Sequence, residues 1–255
     1  MTTDGIVVVI PARYGSSRFP GKPLADICGE PMIVRVVQRA KLIKGADMVV
    51  VATDDHRIAN VLKEKDFPYV MTSKRHLSGT DRIAEAIHAL GLSPGQIVVN
   101  VQGDQPLLDI RAVENMVRLF RNSRDFVMTT VACPMDASSA TDPNRVKVVL
   151  DRDGGALYFS RSVIPYDRDG IYCNEPHLYL RHLGLYCYSV EFLKKYVTWP
   201  EGRLEAVEKL EQLRVLERGL RIGVALVDTA PPEVDAPEDL EEVRNLFSQE
   251  NTGPF

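Results

Sequence analysis

The chain has 255 residues, of which 45% are hydrophobic, and its formal net charge at pH 7 is -4. This length and apolar content are sufficient for one large α/β domain with a sizeable core, or for two small domains. The acidic balance argues against a general nucleic-acid binder, and no apolar run approaches the length of a membrane span.

The four cysteines indicate a reducing compartment. They are scattered along the chain without a C-x-x-C pair, at Cys28, Cys133, Cys173 and Cys187. This spacing fits neither a zinc site nor a disulfide framework. The sequence also enters its first apolar strand almost at once, without the basic segment that opens a secretory signal. We therefore expect a soluble, cytoplasmic protein with no nucleic-acid or membrane partner.

The first predicted strand, Ile6–Ile10, leads directly into a loop that suits a phosphate ligand. Residues 11–24 contain two glycines and no acid, and they carry the cations Arg13, Arg18 and Lys22. Glycine lets backbone N–H groups approach phosphate oxygens, and fixed cations offset the charge of a triphosphate. The alternative is an ordinary turn with surface cations, which accounts poorly for three cations on a loop stiffened by proline and glycine.

The glycine pattern of this loop separates it from two familiar phosphate motifs. Five residues lie between Gly15 and Gly21, one more than in G-x-x-x-x-G-K-[ST], and Pro23 stands where Ser or Thr would hold magnesium. The pattern is not G-x-G-x-x-G either, which argues against a dinucleotide site and hence against a dehydrogenase.

Strands and helices alternate through the first half of the chain. Short β-branched runs at Met48–Ala52 and Ile97–Val101 predict strands buried on both faces, and helices are predicted to begin near Pro31, Asp81 and Asp109. This alternation is typical of a doubly wound parallel sheet. In such a sheet the ligand crevice lies beyond the carboxyl ends of the strands.

An aspartate follows one of these strands at the predicted crevice. Asp104 lies in the run Asn100–Pro106, where a carboxylate suits Mg²⁺, an ion that takes a few carboxylates together with phosphate oxygens and water. The alternative role is to cap the next helix, which Asp109 serves better. Asp235, just before a helix predicted to start near Pro237, is by itself more typical of an N-cap. Only its pairing with Asp104 favours a metal role.

The middle of the chain has a different pattern. Val146–Leu150 and Ala156–Phe159 are predicted to form a hairpin, and Leu183–Tyr188 is predicted to be a further strand. We interpret residues 146–190 as an excursion from the main sheet, either a lid or a dimer contact, within a single domain that spans residues 1–255.

A single helix is predicted over Arg203–Arg218, followed by a strand over Ile222–Val227 and a last helix. On a helical wheel Glu211 falls inside the apolar stripe of the first of these helices. A carboxylate there requires either a cation such as Arg214 or a polar ligand.

Polar side chains share one face of the predicted strand that contains Gly184. His182 and Tyr186 lie an even number of residues apart, so both point to the same side. This arrangement is compatible with a pocket floor and equally with a half-exposed strand. Earlier in the chain, Ser78–Arg82 is predicted to start a helix and could also contact a base or a ribose.

Six motifs, taken together, resemble the 3-deoxy-manno-octulosonate (Kdo) cytidylyltransferase family across nearly the whole chain. They are Pro11–Leu24, Asn100–Pro106, Phe159–Arg161, Arg181–Gly184, Leu210–Arg214 and Val234–Leu240. The resemblance implies a Rossmann-like nucleotidyltransferase fold, with a central, mainly parallel mixed sheet, helices on both faces and a small β excursion. It also implies a homodimer and the reaction of CTP with Kdo to give CMP-Kdo and diphosphate, for lipopolysaccharide biosynthesis.

The resemblance further implies roles for individual residues. Those implied at the nucleotide are Arg13, Ser16, Arg18, Lys22, Ser78, Gly79, Asp81 and Gln102. Those implied at the sugar are Arg161, His182, Tyr186, Glu211 and Gln212. Asp104 and Asp235 are implied as magnesium ligands and, with Lys22, as the catalytic residues. CTP, Mg²⁺ and an acidic 3-deoxy sugar are therefore the expected ligands.

Gln105 keeps the identity of the sugar open. Many members of the family carry Glu at this position, and both the Gln form and the run Gly202–Glu205 are similar to a subgroup that activates 8-amino-3,8-dideoxy-manno-octulosonate. A sialic acid cytidylyltransferase is a further alternative. A non-catalytic nucleotide-binding regulator is disfavoured, because it need not retain both Asp104 and Asp235.

Overall fold

A computed structural model describes residues 5–15, 19–76, 78–172, 175, 177–234 and 236–250. The chain divides into two compact units. Unit 1 comprises residues 1–110 and 231–255, and unit 2 comprises residues 111–230. The single domain expected over residues 1–255 stays a prediction.

Unit 1 begins with parallel strands that alternate with helices. Its strands before residue 110 are β1 (Ile6–Ala12), β2 (Asp26–Ile27), β3 (Glu30–Pro31), β4 (Ala46–Thr53), β5 (Tyr69–Met71) and β6 (Ile97–Asn100). Its helices in the same range are α1 (Met32–Ala40), α2 (His56–Glu64) and α3 (Gly79–Ala89), and Lys22–Leu24 forms a short 3-10 helix. The strand order is β6–β1–β4–β5, and every pair in it is parallel. The predicted strands Met48–Ala52 and Ile97–Val101 are thus confirmed as parts of β4 and β6.

Burial on both faces explains why the sequence pattern predicts strand β1. Every residue of Ile6–Ile10 is at most 2% exposed. A strand with neighbours on both edges and apolar packing on both faces requires a continuous apolar run rather than an alternating one.

Helix starts in unit 1 depend on local caps. Helix α1 begins directly after Pro31, close to the predicted start. Helix α3 begins at Gly79, two residues before the predicted start at Asp81, because the Ser78 hydroxyl accepts a hydrogen bond (3.1 Å) from the Asp81 N–H. Asp81 therefore lies inside the first turn of α3, and Ser78 is the cap.

Unit 2 contains a mixed set of strands. Its helices are α4 (Ile110–Asn122, all but the first residue), α5 (Ala137–Ala140), α6 (Val190–Tyr196), α7 (Arg203–Glu208) and α8 (Leu213–Leu216). Its strands are β7 (Phe126–Met135), β8 (Lys147–Leu150), β9 (Ala156–Ser160), β10 (Tyr179–Ser189) and β11 (Arg221–Leu226). Strands β11 and β7 are parallel, whereas β10 pairs antiparallel with both β7 and β8. The predicted hairpin is confirmed, since β8 and β9 pair antiparallel with Val148 opposite Phe159.

Unit 1 resumes after residue 230 and ends with α9 (Asp239–Glu250). This helix starts two residues later than predicted, and the Asp239 carboxylate accepts a hydrogen bond (2.7 Å) from the Ala236 N–H. None of the helices in the described ranges combines the length and the apolar character that a membrane span requires.

The single helix predicted over Arg203–Arg218 is wrong. Helix α7 ends at Glu208, Lys209 adopts a left-handed conformation (φ 53°), and α8 begins only at Leu213. Glu211 therefore lies between two short helices, half-buried, and not in the apolar stripe of one long helix.

The buried carboxylate of this region is Glu205. Its two oxygens accept hydrogen bonds of 2.6 Å from Nε and from a terminal nitrogen of Arg214, so the cation proposed for Glu211 is used by Glu205 instead. The Arg214 guanidinium also lies 4.6 Å from the centre of the Tyr196 ring. The side chains of Glu205 and Arg214 are only 6% and 12% exposed, respectively.

We expect Glu205→Gln to lower the free energy of unfolding by about 3 kcal/mol, because it leaves the buried Arg214 charge without its counter-charge. Urea unfolding followed by circular dichroism measures this loss. The matched control is Glu201→Gln, which removes an ion pair to Lys209 whose side chains are 56% and 72% exposed and should change stability by less than about 1 kcal/mol. Equal effects of the two substitutions would contradict the assignment of Glu205 and Arg214 as a buried ion pair that stabilises this region.

Candidate active site

A backbone hydrogen bond joins the two ends of the loop that follows β1. The Gly21 N–H donates a hydrogen bond (3.0 Å) to the Tyr14 carbonyl, and Gly21 has φ 75°, a conformation that favours glycine. Arg13 is exposed at the start of this loop. Ser16 and Arg18, both predicted at the phosphates, lie outside the described residues.

Lys22 joins three segments of unit 1. Its Nζ donates hydrogen bonds to Oδ2 of Asp104 (2.7 Å) and to the carbonyl of Val234 (2.8 Å). The Val234 N–H in turn donates to the Asp104 carbonyl (3.1 Å). The structure thus brings Lys22 and Asp104 together, as the sequence analysis predicts for one site. Asp235 lies outside the described residues, next in sequence to Val234.

Gly103 lets the turn after β6 approach β1. A Cβ at this position would lie 3.0 Å from the Pro11 carbonyl oxygen, which belongs to the rigid backbone of β1. Gln105, two residues after Gly103, is buried and donates a hydrogen bond (2.7 Å) from Nε2 to Oε1 of Glu233. These contacts fix both ends of the short segment that carries Asp104.

The donor set around Asp104 fits Mg²⁺. Within the described ranges, no group of three or more His, Cys, Asp or Glu side chains converges as a metal cluster. Mg²⁺ does not need one, because it is commonly held by one or two carboxylates while phosphate oxygens and water complete its octahedron. The Asp104 carboxylate is partly exposed, and one of its oxygens, Oδ2, is paired with Lys22.

Two further predicted nucleotide segments meet at the same end of β1. A Cβ on Gly79 would lie 3.5 Å from Cγ of Pro11, so the first turn of α3 packs against the residue that Gly103 also approaches. Asp81 is half-buried in that turn, and Gln102 donates a weak hydrogen bond (3.4 Å) to the Asn100 side chain. The described nucleotide-side residues therefore all belong to unit 1, and these segments surround the carboxyl end of β1.

The residues predicted at the sugar all belong to unit 2. A bulge in β10, where Gly184 has φ 67°, separates His182 from Tyr186. The two rings still contact each other, with centroids 5.4 Å apart, and Phe159 packs edge-on against His182 at 5.0 Å. His182 and Tyr186 therefore lie side by side, as the sequence analysis predicts, although an irregular strand carries them.

Gln212 presents a buried polar group toward Tyr186. The Tyr186 hydroxyl donates a hydrogen bond (3.1 Å) to Oε1 of Gln212, a residue that is only 3% exposed. Nε2 of Gln212 has no hydrogen-bond acceptor among the described residues. A buried unsatisfied donor costs about 1–3 kcal/mol, so a ligand oxygen at this position would restore that energy. Burial, and next the charge of Glu211, hold the pKa of Tyr186 well above its ordinary value.

Arg161 is tied to the main chain of unit 2. Its guanidinium donates hydrogen bonds to the carbonyls of Glu208 (2.7 Å) and Pro143 (2.9 Å), and its N–H donates to the Glu208 carboxylate (2.9 Å). The same carboxylate accepts a bond (2.6 Å) from the Ser160 hydroxyl. Arg161 thus holds the end of α7, from which the chain continues to Glu211 and Gln212.

A model of a known protein family covers most of the chain. A family model described as cytidylyltransferase matches residues 7–222. The chain belongs to the cytidylyltransferase family.

Relatives of this cytidylyltransferase have two kinds of name. It is 47% identical to a 3-deoxy-manno-octulosonate cytidylyltransferase of Acinetobacter baumannii over 94% of this chain and 96% of that protein. It is also 49% identical to an 8-amino-3,8-dideoxy-manno-octulosonate cytidylyltransferase of Shewanella frigidimarina over 92% of this chain and 95% of that protein. The family predicted from the sequence motifs is thereby confirmed, and the chain is a nucleotidyltransferase.

Solved structures confirm the predicted fold. A CMP:2-keto-3-deoxy-manno-octonic acid synthetase complexed with CTP matches with a TM-score of 0.90 at 42% identity, covering 97% of this chain and 100% of that one. A 4-diphosphocytidyl-2C-methyl-D-erythritol synthase matches with a TM-score of 0.65 at 12% identity, over 97% of this chain and 100% of that one, and shares the fold. The Rossmann-like nucleotidyltransferase architecture is therefore as the sequence analysis predicts.

Three residues that contact predicted site residues or their neighbours in this cytidylyltransferase were not found from the sequence. They are Thr130 on β7, Glu208 at the end of α7 and Glu233 beside Gln105. A Val- and Thr-rich run over 126–133 is typical of a strand and could have indicated β7. Glu208 and Glu233 gave no local signal, because their partners lie 47 and 128 residues away along the chain.

We expect His182 to make the stability of this cytidylyltransferase depend on pH. Burial, and next the charge of Arg181, lower the pKa of His182 from 6.5 to about 3. Below pH 6.5 the unfolded ring binds a proton that the native ring does not, so the free energy of unfolding falls with decreasing pH, by up to about 1.4 kcal/mol per pH unit from this residue.

Urea unfolding at pH 7, 6 and 5 measures this dependence, and His182→Gln should flatten it. His88→Gln is the control, because His88 is exposed and its replacement should leave the slope as in the wild type. A slope that persists in His182→Gln would show that another group causes it.

Proposed function

We propose that this cytidylyltransferase transfers CMP from CTP to 3-deoxy-manno-octulosonate, giving CMP-Kdo and diphosphate. The observation that carries the proposal is the junction of Lys22, Asp104 and Val234 in unit 1, where an ammonium and a carboxylate lie 2.7 Å apart near the end of β1. A synthetase that is 42% identical and was solved with CTP supports the choice of nucleotide.

Unit 1 is proposed to bind CTP. Arg13 and Lys22, with Ser16 and Arg18 of the same loop, supply cations and donors for the triphosphate. The proposed cytidine contacts are Ser78, Gly79, Asp81 and Gln102. Gly79 and Gly103 both lie close to Pro11, so a nucleotide at this end of β1 meets backbone on two sides without interference from a Cβ.

Magnesium is proposed to be held by Asp104 and Asp235. When bound, Mg²⁺ supplies positive charge that offsets the triphosphate and polarises the reacting phosphate. Lys22 carries its ammonium on a flexible stem, and it can exchange the Asp104 carboxylate for a phosphate oxygen when CTP binds. The Val234 carbonyl keeps a second hold on the same ammonium.

Unit 2 is proposed to bind the sugar through His182, Tyr186, Glu211 and Gln212. Arg161 is proposed either to hold the end of α7, which precedes Glu211 and Gln212, or to contact the acidic sugar. Nε2 of Gln212 is a buried donor that a sugar oxygen would satisfy. Glu211 is half-buried and accepts hydrogen bonds, as sugar hydroxyls require.

The proposed reaction is a single displacement at phosphorus. The anomeric hydroxyl oxygen of the sugar forms a bond to the α-phosphorus of CTP, and the bond from that phosphorus to the β-phosphate oxygen breaks. Diphosphate leaves with the electron pair, and the hydroxyl proton passes to solvent. The protein forms no covalent bond in this scheme, so its contribution is positioning and the neutralisation of charge.

The 8-amino sugar is the second candidate substrate. A relative with that name is 49% identical to this chain, and Gln105, the residue that is similar to that subgroup, is buried against Glu233. A Glu at position 105 would place two carboxylates in this contact, so Gln105 and Glu233 form a matched pair. Sialic acid and a non-catalytic regulator remain as weaker alternatives.

A homodimer in the cytoplasm is the proposed setting. Unit 2 exposes the apolar side chains of Leu157, Tyr166 and Ile171 within residues 146–190. Apolar side chains exposed within one segment fit a protein contact, and a second copy of this chain is the proposed partner. CTP is a cytoplasmic metabolite, and an activated 3-deoxy-octulosonate serves lipopolysaccharide synthesis.

Diphosphate release tests the proposed function. With CTP and Mg²⁺, we expect release with Kdo or its 8-amino form that is at least about tenfold faster, in kcat/KM, than with sialic acid, because one missing buried hydrogen bond costs at least that factor. A coupled diphosphate assay over the three sugars measures this. Faster turnover of sialic acid, or CTP binding without diphosphate release from any sugar, would refute the proposal.

Asp104→Asn tests the proposed role of its carboxylate. We expect kcat to fall about 10²–10³-fold, the scale of a lost electrostatic stabiliser, because the amide keeps the shape of the side chain but not its charge. Steady-state kinetics at saturating CTP, sugar and Mg²⁺ measure the change. Asp47→Asn, an exposed carboxylate of the same unit, should keep wild-type turnover. Near-normal turnover in Asp104→Asn would rule the role out.

A further inference from the structure

The bulge in β10 turns one backbone carbonyl toward β7. His182 pairs with Ala132 and Tyr186 with Thr130, so three residues of β10 oppose a single residue of β7. The left-handed conformation of Gly184 makes this bulge possible. The Leu185 carbonyl accepts a hydrogen bond (2.5 Å) from the Thr130 hydroxyl. A side-chain hydroxyl of β7 therefore binds the backbone within the bulge.

The same hydroxyl oxygen also contacts the His182 ring. Oγ1 of Thr130 lies 2.9 Å from Nε2 of His182. Thr130 has one hydroxyl proton, and the Leu185 carbonyl can only accept, so this proton is directed to Leu185. The hydrogen bond between the ring and the hydroxyl must then run from Nε2–H to Oγ1.

Burial keeps the His182 ring neutral. Thr130 is fully buried and His182 is 9% exposed, and the ring packs against Phe159 and Tyr186. The same burial lowers the pKa of His182 to about 3, far below neutral pH. A neutral imidazole carries one N–H, and if Nε2 holds it, Nδ1 has a lone pair and accepts hydrogen bonds.

We propose that Thr130 is a positioning residue that fixes His182 as the Nε2–H tautomer, so that Nδ1 accepts a hydrogen bond from a hydroxyl of the sugar. This inference rests on the proposed function, since the hydroxyl belongs to the proposed substrate. Together with the donor at Nε2 of Gln212, it gives unit 2 one fixed acceptor and one fixed donor for the sugar.

Nitrogen-15 NMR of the imidazole rings tests the tautomer directly. The two ring nitrogens have distinct shifts when one is protonated, and His182→Gln identifies the signal among the five histidines of the chain. We expect Nε2–H in the wild type and in Thr130→Ser. In Thr130→Val the proton should move to Nδ1, because an Nε2–H facing a methyl group would be buried without an acceptor.

Kinetics provide the second measurement. Thr130→Val should raise KM for the sugar about tenfold, the scale of one lost hydrogen bond, with KM for CTP unchanged, and Thr130→Ser should restore the wild-type value. Thr129→Val is the matched control. Thr129 is equally buried on β7, and its hydroxyl donates to the Met116 carbonyl (3.0 Å) instead. That substitution should change neither the tautomer nor KM for the sugar.

The outcomes separate this inference from the proposed function. An Nδ1–H signal in the wild type overturns the inference, and this spectrum is decisive even if Thr130→Val does not fold. A Thr130→Val enzyme that keeps Nε2–H, or whose KM rises without a change of tautomer, also overturns it. If the wild type shows Nε2–H but releases diphosphate with no sugar, the proposed function fails, and with it the sugar hydroxyl as the partner of Nδ1.

Discussion

The contact on which unit 1 depends is the ion pair between Lys22 and Asp104, with its second hydrogen bond to Val234. Asp104 and Val234 lie 82 and 212 positions after Lys22 in the sequence. These contacts therefore form only when the loop after β1, the turn after β6 and the segment before α9 are all in place. A part-buried charge that loses its partner is costly, and this makes the pair sensitive to the placement of each segment. The contacts that place the candidate site residues are therefore also contacts that hold unit 1 together.

Several elements were predictable because one physical requirement dominates each of them. Strands β1, β4 and β6 are buried on both faces, and such burial leaves continuous β-branched runs in the sequence. The loop that carries Lys22 was singled out through its glycines and cations, which suit the proposed phosphate ligand. Asp104 was singled out through its place after a buried strand, the region where parallel sheets commonly bind ligands, and the structure places it beside Lys22. In all three cases the local sequence already contains the deciding information.

Other features depend on partners that are distant in sequence. The helix break at Lys209 follows a segment with a good helical pattern. Two contacts accompany this break: the Glu205–Arg214 ion pair, and the hydrogen bond that Arg161, 47 residues earlier in the chain, donates to the Glu208 carbonyl. Strand β7 contains two fully buried threonines, and their hydroxyls are satisfied by the Met116 and Leu185 carbonyls. Buried polar residues weaken an apolar pattern, and only the folded chain shows why they are tolerated. Propensity could have indicated strand β7, but it could not have shown the break at Lys209 or the burial of the two threonines.

The two units bring different physical properties to the proposed reaction. Unit 1 offers charge, which suits a triphosphate because phosphate oxygens are strong acceptors at any rotation of the group. Unit 2 offers neutral, buried hydrogen-bonding groups, of which Nε2 of Gln212 has no acceptor among the described residues. When an analogue lacks the matching oxygen, such a group stays unpaired in the complex. The resulting cost can lower kcat/KM for that analogue by several orders of magnitude. In the proposed reaction, charge in unit 1 therefore provides affinity for the nucleotide, whereas discrimination between sugars follows from groups in unit 2 that are costly to leave unsatisfied.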